Sequence, residues 1–105
     1  MDNNIRSEVA QLVKKVATSI LLPNFAKVSA TDKEDGSWLT IADIQAHEML
    51  CNELPKLANY PVLSEEMSEA EQQDILNSKS SSYWCIDPLD GTSNFTQGIP
   101  YWCTS

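Results

Sequence analysis

The stretch Trp84-Cys85-Ile86-Asp87-Pro88-Leu89-Asp90-Gly91-Thr92-Ser93-Asn94-Phe95 changes character twice. Its first part, with Tyr83, has the aromatic and β-branched content of a buried strand, in which Cys85 would serve packing. The strand runs into two aspartates around a proline. Pro88 has no N–H and a fixed φ, so Asp87 and Asp90 can flank a turn from which the Leu89 carbonyl points toward the same cation. Carboxylate and carbonyl oxygens are what Mg²⁺ takes, usually with substrate phosphates completing the shell. Gly91-Thr92-Ser93 follows, a residue without Cβ and two hydroxyl residues suited to starting a helix. Free N–H groups at such a start bind phosphate, aided by the helix dipole. Donors for a cation and donors for a phosphate therefore adjoin in sequence.

Upstream, Pro61-Val62-Leu63-Ser64 reads as a second strand, delivering Glu65 and Glu66 at its carboxyl end. If the two strands share a sheet, Glu65, Asp87 and Asp90 converge, and like charges so placed need a hard cation between them. In an extended segment Glu66 points away from Glu65, toward solvent or the outer surroundings of the site. Ile5, Val9, Leu12, Val13, Val16 and Ile20 recur at steps of three and four and predict an amphipathic helix over 3–22, ended by Pro23. Residues 28–39 read as a loop or short hairpin. A second helix starts near Thr40, where Thr40-Ile41-Ala42-Asp43 resembles a capping box, with an apolar stripe of Ile44, Leu50, Leu54 and Leu57 and an end near Pro55. His47 is expected to pack on this helix near the core. Residues 67–82 form a polar connection with one helical turn through 69–76, its Glu69, Glu71 and Asp74 a solvated face, and Ile99 to Cys103 begin another strand. Trp84, Tyr101 and Trp102 are expected to fill the core or an interface.

The 105 residues carry fifteen acids and seven bases, a net charge of −8. Seven of the acids and one base lie in 65–90, so most of the net charge is local to the proposed carboxylate cluster. This balance excludes sequence-independent binding to nucleic acid, which relies on Lys and Arg neutralising phosphates, and disfavours anionic membrane surfaces. No apolar run approaches the roughly 18 residues that span a bilayer. Lys14-Lys15 before VATSILLP imitates a signal peptide only loosely, since its apolar residues continue the amphipathic pattern begun at Ile5. Cys51, Cys85 and Cys103 form no C-x-x-C, so neither a disulfide framework nor a zinc ribbon is indicated and a cytoplasmic location is expected.

WCIDPLDGTSNF resembles the W-x-[IV]-D-P-[IL]-D-G-T-x-[NE]-F motif of the inositol monophosphatase family, the magnesium-dependent, lithium-sensitive sugar and nucleotide phosphatases. Three further pieces match in order: Lys33 to Asp43 (KEDGSWLTIAD), Ser64-Glu65-Glu66, and Gly98 to Trp102 (GIPYW). The resemblance implies an α+β chain, the N-terminal part of the layered αβαβα sugar-phosphatase fold, with two helices packed on a mainly antiparallel sheet. It implies metal ligation by Glu65, Asp87, Asp90 and the Leu89 carbonyl, with Mg²⁺ as cofactor. Thr92 and Asp43 would hold and activate the attacking water, and Asp90, Gly91, Thr92 and Ser93 would bind the substrate. Asp43 also has a structural reading as a capping acid, and both roles can coexist.

Family members continue with a W-D-x-A-x-G motif and are commonly dimers, so 1–105 is expected to be an N-terminal fragment of the phosphatase domain, with the C-terminal half absent and a homodimer belonging to the full-length protein. One metal site can be built from Glu65, Asp87 and the Leu89 or Asp90 oxygens; a second would lack ligands. The implied activity is hydrolysis of inositol monophosphate or a related sugar phosphate, which Ser93-Asn94 favours. The runner-up is a 3′(2′),5′-bisphosphate nucleotidase, which Pro61 to Glu66 and Asp35-Gly36-Ser37 favour. A third expectation, of another class, is a non-catalytic cation-binding module.

Overall fold

Thr40 opens the longest helix through a complete capping box. Its hydroxyl accepts from the Asp43 N–H, while the Asp43 carboxylate accepts from the Thr40 N–H. The computed structural model describes residues 3–27, 31, 32, 38–78 and 82–105. The described elements are α1 (Asn3–Val16), a π-helical turn (Ala17–Leu21), α2 (Leu22–Asn24), β1 (Thr31–Asp32), β2 (Trp38–Leu39), α3 (Ile41–Leu57), β3 (Val62–Ser64), α4 (Glu69–Leu76), β4 (Trp84–Ile86) and α5 (Thr92–Thr96).

The first helix departs from expectation at its end. Pro23 does not stop it but sits inside the final turn, after the chain has widened into the π turn. A proline cannot donate to the carbonyl four residues back and clashes with it in a regular helix. Wider i→i+5 spacing, as from the Leu22 N–H to the Ala17 carbonyl, moves the chain off that register. The hydroxyls of Thr18 and Ser19 bond back to the Lys14 and Lys15 carbonyls at 3.0 and 2.5 Å across the same segment.

The core forms where α1 and the π turn cross α3. Leu12, Val16 and Leu21 meet Ala42, Ala46, Leu50 and Leu54, and Val62, Leu89 and Phe95 close the cluster from the strand side. The inward face of α3 thus runs through Ala42, Ala46, Leu50 and Leu54, spaced by four, while Ile44, expected in the stripe, is exposed. Two alanines let the backbones approach, and Asp43, beside them, is wholly buried. Pro55 lies inside α3 two residues before its end at Leu57.

The carboxylate-bearing strands do share a sheet, and they pair in parallel, with Val62 opposite Trp84 and Ser64 opposite Ile86. β1 and β2 pair antiparallel as a short hairpin, while Lys33 and Asp35 to Ser37 lie outside the described residues. The last stretch forms less strand than expected, a single antiparallel bridge from Cys103 to Asp90. Asp87 and Ser105 also exchange backbone bonds, at 2.8 and 2.9 Å. The Asp87 side of this pairing therefore carries one residue more than the Ser105 side, the count of a β-bulge, and Pro88-Leu89 occupy it. Thr104 fastens the bulge by donating its hydroxyl to the Pro88 carbonyl at 2.8 Å.

β4 is not fully buried. Trp84 and Ile86 are half-buried against the core, and Cys85, expected to pack inside, is exposed on the opposite face. The alternation follows from a two-stranded sheet covered on one side only. Trp102 closes the core edge with Phe25 and Phe95, its ring at 5.5 and 5.0 Å from theirs, whereas Tyr101 is 81% exposed. The polar connection after β3 folds into two turns of helix rather than one, because Ser68 and Glu71 form a second capping box.

Candidate active site

The parallel register sets the two carboxylate-bearing strand ends side by side. Glu65 and Asp87 each follow the last paired residue of adjacent strands, and the Glu65 N–H extends the ladder to the Ile86 carbonyl at 3.1 Å. Carboxyl ends of parallel strands are where ligands bind in such sheets. Burial pushes the Asp87 carboxyl above its ordinary pKa, and the negative charges of Asp90, Glu65 and Glu66 push it further, against a backbone N–H bond from Leu89 that lowers it. Asp87 Oδ1 is buried with no hydrogen-bond partner among the described residues. Buried carboxylate oxygens are normally satisfied. An orphaned oxygen facing like charges, in an oxygen-only donor set, fits a hard divalent cation. Among the described residues, no three His, Cys, Asp or Glu side chains form a group that could hold a metal ion, so the expected convergence of Glu65, Asp87 and Asp90 goes only as far as adjacent strand ends and mutual repulsion.

The second group of candidates is in direct contact. Thr92 Oγ1 donates to Asp43 Oδ1 at 3.1 Å and lies 3.4 Å from the Leu89 carbonyl oxygen. The other carboxylate oxygen, Oδ2, accepts the Thr40 N–H at 2.9 Å and the Thr40 hydroxyl. Asp43 therefore divides its oxygens between capping α3 and holding the Thr92 hydroxyl.

Gly91 stands at the head of α5 with φ of +92°. A Cβ there would lie 3.0 Å from the Tyr101 carbonyl oxygen and 3.2 Å from the Trp102 Cβ. Backbone handedness and space both call for glycine. Gly91→Ala is expected to cost roughly 1–3 kcal/mol, combining left-handed strain with overpacking, and thermal denaturation should register a clear fall in Tm. An unchanged Tm would mean that the turn relaxes without cost. Ser93 is exposed beside Gly91, and a cleft of about 400 Å³ opens between Asp90, Gly91, Asn94 and the Pro100–Cys103 segment.

His47 does more than pack on its helix. Its Nδ1 lies 2.7 Å from the hydroxyl of Ser64, itself only 1% exposed, a link that no helical or strand periodicity announces. Cys51, one turn further along α3, touches the same ring at 3.6 Å. Burial pushes its thiol pKa up and Glu71 adds to the rise, so it stays protonated.

The family model for the inositol monophosphatase family matches residues 2–105. The chain belongs to the inositol monophosphatase family. An inositol-1-monophosphatase of Mesorhizobium japonicum is 38% identical over 74 residues, covering 70% of this chain and 26% of that protein. A 3′(2′),5′-bisphosphate nucleotidase CysQ of Shigella flexneri is 34% identical over 91 residues, 84% of this chain and 36% of its own length. Among solved structures, the extragenic suppressor protein SuhB from Bartonella henselae superposes with a TM-score of 0.79 at 27% identity, covering 97% of this chain and 39% of that one. This inositol monophosphatase family chain thus has the α+β fold of its relatives and spans about a quarter to two fifths of their length.

Proposed function

We propose that this chain forms the first part of a cation-dependent phosphomonoesterase that activates water rather than a protein nucleophile. The observation that carries the reading is the Thr92–Asp43 contact at 3.1 Å, which joins residues 49 positions apart beside the Leu89 carbonyl. Glu65, Asp87, Asp90 and the Leu89 carbonyl would hold Mg²⁺. When bound, the cation lowers the pKa of water and neutralises phosphoryl charge. Thr92 keeps lone pairs free while donating to Asp43, so it can accept a hydrogen bond from the attacking water and orient it. A proton taken by the Thr92 hydroxyl can pass on to Asp43 Oδ1, whose partner oxygen is held by Thr40. The N–H groups of Gly91, Thr92 and Ser93, which helix geometry leaves without intrahelical acceptors, would receive the phosphate.

The substrate class is a small phosphate monoester, with inositol monophosphate or a related sugar phosphate favoured by Ser93-Asn94. The nucleotidase reading keeps support from Pro61 to Glu66 and from the similarity to CysQ. A cytoplasmic setting accords with three free thiols, and no helix among the described residues is long and apolar enough to cross a membrane. Phosphate release from inositol 1-phosphate and from adenosine 3′,5′-bisphosphate, measured with Mg²⁺ on the gene product carrying this sequence, tests the reading. Turnover of one of them that stops on chelation is expected. Inactivity on both would leave the non-catalytic cation-binding module as the better account.

A further inference from the structure

Ser64 is the last residue of β3 and immediately precedes the Glu65-Glu66 pair, and its polar atoms tie the following turn in place. Its hydroxyl oxygen accepts the Glu66 N–H at 3.2 Å. Its carbonyl accepts the Met67 N–H at 3.1 Å and the Gln72 amide at 3.2 Å. The Gln72 amide reaches the Met67 carbonyl as well, so α4 clasps the turn from its far side. A hydroxyl has one proton to give, and at 1% exposure Ser64 cannot give it to bulk water. The acceptor at hand is His47 Nδ1, 2.7 Å away on α3. We take Nδ1 as the acceptor of this hydroxyl, which puts the ring proton on Nε2, 3.6 Å from Cys51 Sγ.

We propose that His47 is a positioning residue for the carboxylate edge. Through the Ser64 hydroxyl, it fixes the Glu65–Glu66 turn to α3, the helix that also carries Asp43. The hydroxyl orientation demanded by His47 leaves a lone pair aimed at the Glu66 N–H, so loss of the acceptor frees the hydroxyl to turn and the Glu66 N–H to open. Both sides of the candidate site, the Glu65 turn and the Asp43–Thr92 contact, would then be indexed to one rigid helix. This inference rests on the reading of Glu65 as a cation ligand, and partners that orient a ligand typically matter 10–100-fold in metal affinity.

The test uses His47→Leu, which removes the acceptor, His47→Asn, whose side-chain oxygen can take its place, and Ser64→Ala in each background. Two quantities are read: hydrogen exchange of the Glu66 amide without metal, and Mg²⁺ affinity by calorimetry. Expected are Glu66 exchange faster by about tenfold and Mg²⁺ affinity weaker by roughly tenfold or more in His47→Leu. His47→Asn should restore both, and Ser64→Ala should add little to His47→Leu, because the two act as one unit. Unchanged Glu66 exchange in His47→Leu, or changed exchange with unchanged affinity, overturns the proposal. If the unsubstituted chain takes up no Mg²⁺, the cation reading fails by itself, and the exchange result alone decides whether His47 positions the turn.

Discussion

Asp43→Ala is expected to lower the stability of the chain by roughly 2–4 kcal/mol, the largest loss of any single substitution at the site. The side chain is wholly buried and serves three donors, the N–H and hydroxyl of Thr40 and the hydroxyl of Thr92. Losing the reciprocal cap costs about 1 kcal/mol, and each buried donor left unpaired adds about 1–3 kcal/mol, less whatever relaxation recovers. Asp43→Asn keeps the shape but turns one acceptor into a donor, so it should fall between the parent and Ala. Urea unfolding followed by circular dichroism separates the three. Under the proposed function, both substitutions should also cut turnover by about 10²–10⁴-fold, since Thr92 would lose the acceptor for its proton. A variant that keeps full turnover would leave Asp43 as a cap and nothing more.

Asp87→Asn should act in the opposite direction on stability. The folded chain holds Asp87 against burial and the charges of Asp90, Glu65 and Glu66. Its folded pKa therefore exceeds the unfolded value near 3.8. Between those two values the folded state binds more protons than the unfolded one, so stability falls as pH rises through that window, and the loss is complete above the folded pKa. Metal-free Asp87→Asn, which carries no charge there, should accordingly melt above the parent at pH 7 and match it near pH 3. Added Mg²⁺ should reverse the order, raising the parent's Tm and leaving the variant's unchanged. If the variant melts below the parent without metal, Asp87 is held by partners other than a cation.

Much of this arrangement was legible in the residues because local chemistry dictates it. Thr40 to Asp43 reads as a cap and is one; Pro61 to Ser64 and Trp84 to Ile86 read as strands and pair. The alternation that shows β4 to be half-covered is too short to see in three residues, so the residues alone read Cys85 as buried. The π turn before Pro23 is a compromise between a proline and a helix that continues for packing reasons, and those reasons lie in α3. Likewise His47 and Ser64 are 17 residues apart on different elements, and only the packing of β3 against α3 brings them together. The Asp43–Thr92 contact spans 49 residues, and the order of the motifs suggested it only through family resemblance.

We propose that the charge gathered at the ends of β3 and β4 forms a cation site. Calorimetric titration of the chain with Mg²⁺, beside Asp87→Asn and Asp90→Asn, decides this. Saturable binding in the parent that disappears in both variants is the predicted result. No saturable binding in the parent, or binding indifferent to the two substitutions, would contradict it.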